Sequence, residues 1–512
     1  MGISNYKVYT PSEYADIITD FALKNYFCKE YTKEKLDNVK IADLSCGTGN
    51  LLLPIMEKLI KLSKKITGNF YFNSNWIKGY DIDSNAFKIY KEEGEKILKK
   101  YNLKGEILGF IGDSLKNNDE NIKYNIIIGN PPYIGEKNHQ EIFKEIKETE
   151  FGKKYYESKM DYFYFFIEKG IDILEENGTL VYVTTNYWLK ADSAVILRNK
   201  LKNEGYYTDI IDYNVSIFKN APGQHNMIFS WKKNKNNENV EINVEKEGNT
   251  FTLKNINLYD EKGNIILINK ENYIFNKKIL EKSNYKLGDI FNINQGIVTG
   301  CDKAFVTKEY NEKFKEYLKP FYKNKDIFKY NCIEKNYFWI YYMDKDKINC
   351  ESELEKVFLP YKEILLKRRE VEKGILNWWQ LSWARDKEIM SEEKILVRQR
   401  CKTNFFAYNN SEFYGSADIY YLTLKDKSFN LFYILGYLNS DIFYRWYRNN
   451  GKHKGYNLEF YTTPLKQVPL FYPKENKKNE ILYIENLVKK QIINYSEDTQ
   501  NEINKYFKNI YL

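Results

Sequence analysis

Ile41-Ala42-Asp43-Leu44-Ser45-Cys46-Gly47-Thr48-Gly49-Asn50 is an apolar run of strand length that ends in an acid, turns through two glycines and opens an amphipathic helix predicted over Leu51 to Lys64. Glycine allows a tight turn and a close approach of backbone to ligand. Two glycines before a helix also fit a purely structural turn, and a dinucleotide site would place a third where Leu52 stands. The neighbouring segments shift the balance. The next predicted strand, Trp76 to Asp83, ends Gly79-Tyr80-Asp81-Ile82-Asp83, and the third, Glu106 to Asp113, ends Gly112-Asp113-Ser114. Strand-end acids are often helix caps, but acids on three successive strands, at the edge where open sheets bind ligands, point to a nucleoside site. Asp81 stands where such folds clasp ribose hydroxyls, and Asp113 can accept from an exocyclic amine.

Outward from this centre, further strands are predicted at Tyr124 to Asn130, Thr179 to Thr185, Asp209 to Asn214 and Asn226 to Lys232, with a helix over Tyr162 to Glu175. Strand-length apolar runs alternating with helical patterns imply an α/β fold, a mainly parallel sheet of seven strands covered on both faces. After Trp231 the pattern breaks into Lys232 to Asn249, rich in Lys, Asn and Glu. A chain of 512 residues exceeds the roughly 250 to 300 over which one core keeps growing. The expected division is a domain at 1–235, a connecting segment at 236–283 and a mixed α+β domain at 284–512.

Composition excludes several classes. With 43% hydrophobic and 29% charged residues and 10 prolines the chain is globular, and no apolar run is long enough to span a bilayer. The six cysteines show no pair at zinc or redox spacing, so no metal is expected. A formal charge of +9 favours a polyanionic partner. The 46 tyrosines and 31 phenylalanines accompany abundant Lys, Asn and Ile, the bias of AT-rich coding, and are not by themselves a base-stacking signal.

The fourth strand runs into Gly129-Asn130-Pro131-Pro132-Tyr133. Two prolines make a rigid turn on any reading, but here they follow the glycine turn and the acids in order. An apolar strand ending in Asn-Pro-Pro-Tyr resembles the active-site motif of N6-adenine DNA methyltransferases. Val8-Tyr9-Thr10-Pro11 resembles their small cofactor-closing motif, and its place ahead of the glycine turn, with a specificity region last, is similar to the gamma-class, TaqI-type enzymes. Met160-Asp161-Tyr162-Phe163 and Gly178-Thr179-Leu180-Val181-Tyr182-Val183 resemble later core motifs. The resemblance implies a Rossmann-like methyltransferase sheet followed by a target-recognition domain, and S-adenosyl-L-methionine as cofactor. It implies that Thr10 and the glycine-turn residues Asp43, Ser45, Cys46, Gly47 and Gly49 hold the methionine part, that Asp81 binds the ribose, that Ile82 and Asp113 hold the adenine, and that Tyr9, Pro11 and Ser114 also belong to the cofactor site.

The chemistry accounts for the catalytic residue types. An adenine amino lone pair is delocalised into the ring, so it must be localised before it attacks. The side-chain oxygen of Asn130 and the backbone carbonyl of Pro131 can accept both amine hydrogens, favour a tetrahedral nitrogen and stabilise its developing positive charge. Pro131 and Pro132 fix the turn, and Tyr133 would stack on an adenine turned out of the duplex. Where the family supplies a second aromatic, simple alignment places Ala194, with Tyr187 and Trp188 as substitutes.

In the C-terminal half, Asn294-Gln295-Gly296-Ile297-Val298-Thr299-Gly300-Cys301-Asp302-Lys303-Ala304-Phe305 and Tyr461-Thr462-Thr463-Pro464-Leu465 resemble specificity domains of the same type, and some solitary clostridial adenine methyltransferases are similar here. Gln295, Lys303, Arg368, Arg385, Arg398 and Arg400 are the candidate DNA contacts, although a solvated basic face accounts equally well for any one of them. The resemblance thus implies a site-specific adenine methyltransferase acting on double-stranded DNA, a monomer in the bacterial cytoplasm associated with DNA, with no membrane or metal and with room for a separate cognate restriction nuclease. The rival functions are methylation of RNA adenine or protein glutamine, and DNA binding without activity.

Overall fold

The computed structural model describes residues 10–116, 122–218, 223–235, 239–346 and 350–512. The chain divides into two compact units, Met1–Lys270 and Glu271–Leu512. In the first the order is α1 (Ser12–Phe27), α2 (Lys33–Asn38), β1 (Ile41–Asp43), α3 (Leu52–Thr67), β2 (Ile77–Asp81), α4 (Ser84–Lys100), β3 (Leu108–Ile111), β4 (Tyr124–Gly129), α5 (Gln140–Glu148), α6 (Glu150–Tyr155), α7 (Phe163–Ile173), β5 (Leu174–Thr185), α8 (Val195–Glu204), β6 (Gly205–Asp212), β7 (Asn226–Lys233), β8 (Glu241–Lys246) and β9 (Asn249–Lys254). These strands form one sheet in the order β3-β2-β1-β4-β5-β7-β6-β8-β9. The run from β3 to β5 is parallel, and β7 lies antiparallel to both β5 and β6.

Side chains of a strand alternate between faces, and the central strands are apolar on both. Ile126, Ile128, Val181 and Val183 enter one core with α1, α3 and α4, while Ile127, Leu180 and Tyr182 enter the other with α7 and α8. Strand order reverses between β1, whose chain continues outward to β2 and β3, and β4 on its other side. At such a reversal the connections diverge and leave a crevice beyond the strand ends.

The seven expected strands are present, but the sheet has nine. The stretch 236–283, expected to be a connection, supplies β8 and β9. In β8 Ile242 and Val244 are buried while Glu241, Asn243 and Glu245 face solvent. The turn Glu247-Gly248, with φ of 51° and 78°, is the kind that suits a two-residue hairpin. Dense Lys, Asn and Glu hid this alternation. The chain then returns Leu258, Ile265 and Leu267 to the core, so the first unit extends well beyond residue 235.

The second unit is mixed α+β. One antiparallel sheet orders Phe291–Gln295, Ile419–Leu424, Lys394–Arg398 and Phe406–Asn409, and another four-stranded sheet is built around Leu318–Tyr322 and Phe338–Tyr341. Helices Leu431–Leu438, Asp441–Asn450, Lys478–Ile493 and Glu497–Tyr511 pack on the first sheet. Among the described residues no helix is long and apolar enough to cross a membrane, and no cluster of three His, Cys, Asp or Glu is placed to hold a metal.

Candidate active site

The carboxyl ends of β1 to β4 surround a cleft of about 1020 Å³, counting its open mouth. It is lined by Thr10, Asp43, Ser45, Cys46, Gly47, Asp81, Ile82, Asp113, Ser114, Asn130, Pro131, Pro132 and Tyr133, residues that the sequence singles out from five separate segments. Tyr9 lies outside the described residues. Pro11 does not line the cleft; its carbonyl caps the start of α1 by accepting from Tyr14 and Ala15. Gly49 stands behind the cleft, with φ 87°, where a Cβ would meet the Tyr90 ring at 2.5 Å and Leu53 at 2.9 Å. Packing therefore demands that glycine. The Cys46 thiol also turns to the core, at 2.7 Å from where a Cβ on Gly79 would lie.

Asp43 is 2% exposed, and its Oδ1 accepts the Ser45 N–H at 2.9 Å. Burial pushes its carboxyl up to about 7, against the pull of the Ser45 N–H and with a further push from Asp81. Asp81 stitches the glycine turn to the end of β2, accepting Gly47 N–H at 2.7 Å and Asp83 N–H at 2.8 Å. A carboxylate has about four acceptor positions, so this stitching is compatible with ligand binding. Ser114 Oγ donates to the Leu44 carbonyl at 2.8 Å, tying the ends of β3 and β1, and Asp113 accepts the Leu115 N–H at 3.0 Å. The Ser45 hydroxyl is buried at the cleft without a partner. A buried polar atom left unpaired costs free energy, and a ligand with donors and acceptors would relieve it. Acidic strand ends, an unpaired hydroxyl and a Gly47 backbone at φ 53° fit S-adenosyl-L-methionine, which carries ribose hydroxyls, an adenine amine and two cationic centres.

The Asn130 loop forms one wall. Asn130 Nδ2 donates to Thr10 Oγ1 at 3.1 Å, and Asn50 Nδ2 donates to the Thr10 carbonyl at 3.4 Å, so the N-terminal segment is fastened to both the glycine turn and the loop. The Tyr133 hydroxyl lies 2.7 Å from Asn130 Oδ1 and 3.0 Å from the Val183 carbonyl. Burial pushes its pKa well up, so the phenol keeps its proton. The Tyr133 ring meets Phe163 edge-on at 5.7 Å. Of the candidate second aromatics, Trp188 is wholly buried, its indole N–H on Thr184 Oγ1, and Ala194 is buried as well. Tyr187 is 49% exposed. Its hydroxyl donates to Asp161, whose other oxygen accepts the Ile134 N–H at 2.9 Å.

Sequence reasoning passed over several cleft residues, including Asn50, Asp83, Tyr162 and Phe166. Asp83 is also the cap of α4, accepting from Asn85 and Ala86. The four-residue spacing of Tyr162 and Phe166, at the start of a helix that follows a family-like motif, was the available signal.

Residues 57–218 match the family described as Eco57I restriction-modification methylase, and residues 319–470 match the TaqI-like C-terminal specificity domain. The chain carries an Eco57I-type methylase domain and a TaqI-like specificity domain. It is 29% identical over 452 residues to Type II methyltransferase M.HindII of Haemophilus influenzae, covering 80% of this chain and 87% of that one. Type II methyltransferase M.BstVI of Geobacillus stearothermophilus is 23% identical, with 94% and 93% covered. The fold is similar to that of the Type IIL restriction-modification enzyme MmeI, solved in complex with DNA, at a TM-score of 0.66 and 12% identity, covering 98% of this chain and 73% of that one.

Within the unit that carries the specificity domain, the candidate DNA contacts separate. Arg368 is only 8% exposed. It donates to the carbonyls of Leu365, Thr299 and Trp378 at 3.1, 3.2 and 2.8 Å and to Ser382 Oγ at 3.3 Å. Arg398 clamps the Ile327 carbonyl. Four of the five N–H donors of Arg368 and three of those of Arg398 are engaged by partners within the unit. Gln295 Nε2 donates to the Ala417 carbonyl at 2.8 Å, Arg385 donates to the Gly296 carbonyl at 3.1 Å, and Arg400 pairs with Glu459 at 2.7 Å. Lys303 is exposed on the short helix Asp302–Phe305.

Proposed function

We propose that the chain is a site-specific DNA methyltransferase that uses S-adenosyl-L-methionine to methylate N6 of an adenine turned out of double-stranded DNA. The observation that carries this reading is the Asn130 carboxamide, held by Thr10 at the wall of the cleft. The family matches and the relatives named Type II methyltransferases support DNA as the substrate, and the net charge of +9 suits a polyanion.

S-adenosyl-L-methionine, when bound, supplies an electrophilic methyl group on a sulfonium. Thr10, Asp43, Ser45 and Gly47 would hold its methionine part, Asp81 its ribose, and Ile82, Asp113 and Ser114 its adenine. On the substrate side Thr10 fixes the amide end of Asn130, which directs Oδ1 to the Tyr133 hydroxyl. That hydroxyl has one hydrogen to give. When it goes to the Val183 carbonyl, 3.0 Å away, Asn130 Oδ1 can accept from an incoming amine. With the Pro131 carbonyl it localises the nitrogen lone pair and stabilises the charge formed on transfer. Tyr133 and Tyr187 are the two aromatic walls for the base.

The test is transfer of labelled methyl from S-adenosyl-L-methionine to duplex DNA, followed by nucleoside analysis. Label in N6-methyldeoxyadenosine is expected. Label confined to cytosine would overturn the base assignment, and label in RNA or protein with none in DNA would overturn the substrate.

A further inference from the structure

We infer that Asp161 is a positioning residue for methyl transfer, a buried carboxylate that sets the Asn130–Tyr133 loop and the Tyr187 ring in one mutual geometry. The inference rests on the methyltransferase reading above and assigns to it a residue that contacts neither ligand.

The need for such a group begins in the sequence. Pro131 and Pro132 have no backbone N–H, so the loop has little with which to fasten itself, and the next donors are those of Tyr133 and Ile134. Ile134 is held from outside on both sides: its N–H goes to Asp161 Oδ1 at 2.9 Å, and its carbonyl accepts the Tyr162 N–H at 2.9 Å. A second backbone bond, Glu136 N–H to the Met160 carbonyl at 3.0 Å, extends this short antiparallel pairing.

The same carboxylate gathers two more donors. Its Oδ1 lies 3.4 Å from the Phe163 N–H at the start of α7, and its Oδ2 accepts the Tyr187 hydroxyl from the turn after β5. Phe163 is itself placed between the two tyrosines, edge-on to Tyr133 at 5.7 Å and to Tyr187 at 6.3 Å. Three segments distant in sequence thus meet on one side chain. Asp161 is 6% exposed and is not among the residues lining the cofactor cleft, so it acts through the residues it holds. An asparagine reproduces it only in part. Its neutral oxygen accepts the Ile134 N–H less strongly than a carboxylate does, and its amide takes from the Tyr187 hydroxyl hydrogen the acceptor that Oδ2 provides.

The experiment compares wild type, Asp161→Asn and Tyr187→Phe in three measurements: single-turnover methylation of duplex DNA, cofactor affinity by calorimetry, and deuterium uptake. For Asp161→Asn the expected result is a single-turnover rate lower by roughly 10- to 100-fold, with cofactor affinity within about twofold of wild type. Uptake should rise in the peptide 130–136 and stay unchanged in β5. Tyr187→Phe keeps the ring and removes only the donor to Asp161, and should slow the step by about 2- to 10-fold. A wild-type rate or unchanged uptake at 130–136 in Asp161→Asn would overturn the inference. A rate that falls only in parallel with cofactor affinity would reduce Asp161 to a structural residue. If Asp161→Asn does not fold, Tyr187→Phe decides alone, and a rate and uptake equal to wild type overturn the inference. If wild type methylates no DNA the function fails, while the uptake measurement still decides whether Asp161 holds the loop.

Discussion

At the carboxyl edge of the nine-stranded sheet, Asp43, Asp81, Asp113 and Asn130 converge on an open cleft, whereas in the C-terminal unit Arg368 and Arg398 turn inward onto loop carbonyls. The difference follows from architecture. A parallel sheet delivers successive strand ends to one rim, so an acid at the end of a strand faces ligand space almost by construction. A unit of short strands and irregular connections has many carbonyls outside any ladder, and buried carbonyls need donors. Arginine supplies them while it keeps its charge.

The largest effect that would break this contrast is at Asn130. Asn130→Ala is expected to lower single-turnover methyl transfer by roughly a thousandfold or more with cofactor affinity nearly unchanged, since Asn130 faces the amine and not the sulfonium. Near-normal turnover would remove the mechanism. Next is Arg368→Ala, which strips donors from three carbonyls and should destabilise the C-terminal unit by about 3 kcal/mol. Chemical denaturation measures this, and an unchanged midpoint with weaker DNA binding would return Arg368 to the DNA surface.

Asp81→Ala should weaken the cofactor by roughly 10- to 100-fold, the equivalent of one charged hydrogen bond, and unchanged calorimetric affinity would remove Asp81 from the site. Asp43 adds a pH dependence. Its folded carboxyl titrates at about 7, above the ordinary value, so a cationic ligand must bind against a proton below that pH. Affinity should therefore be level above pH 7 and fall by about tenfold per unit below it, and Asp43→Asn should flatten the profile. The smallest effect belongs to Lys303. Lys303→Ala should leave stability unchanged and lower the salt dependence of DNA binding by about one ion; an unchanged salt slope would take Lys303 off the phosphate backbone.

Legibility in the sequence followed the same division. The strands of the first unit could be read because Ile126-Ile127-Ile128 and Val181-Tyr182-Val183 are apolar on both faces, a pattern only an interior strand sustains. The edge hairpin β8–β9 could not, since a strand with one solvated face in a Lys- and Asn-rich stretch resembles a linker. Within the site, strand-end acids and Asn-Pro-Pro-Tyr were legible because backbone topology alone brings them together. Asp161 was visible only as part of a motif, because its partners Ile134 and Tyr187 are 27 and 26 residues away and no local pattern reports such a meeting. The roles of the arginines were less legible for a related reason. Whether a guanidinium finds a phosphate or a carbonyl depends on loops whose course propensity does not determine.

The measurement that tests the central claim most directly is single-molecule sequencing of genomic DNA from a heterologous host expressing the chain, beside an Asn130→Ala control. The account predicts N6-methyladenine at one short sequence motif, absent from the control. Unmodified adenines in both samples, with the protein folded and binding S-adenosyl-L-methionine, would contradict it.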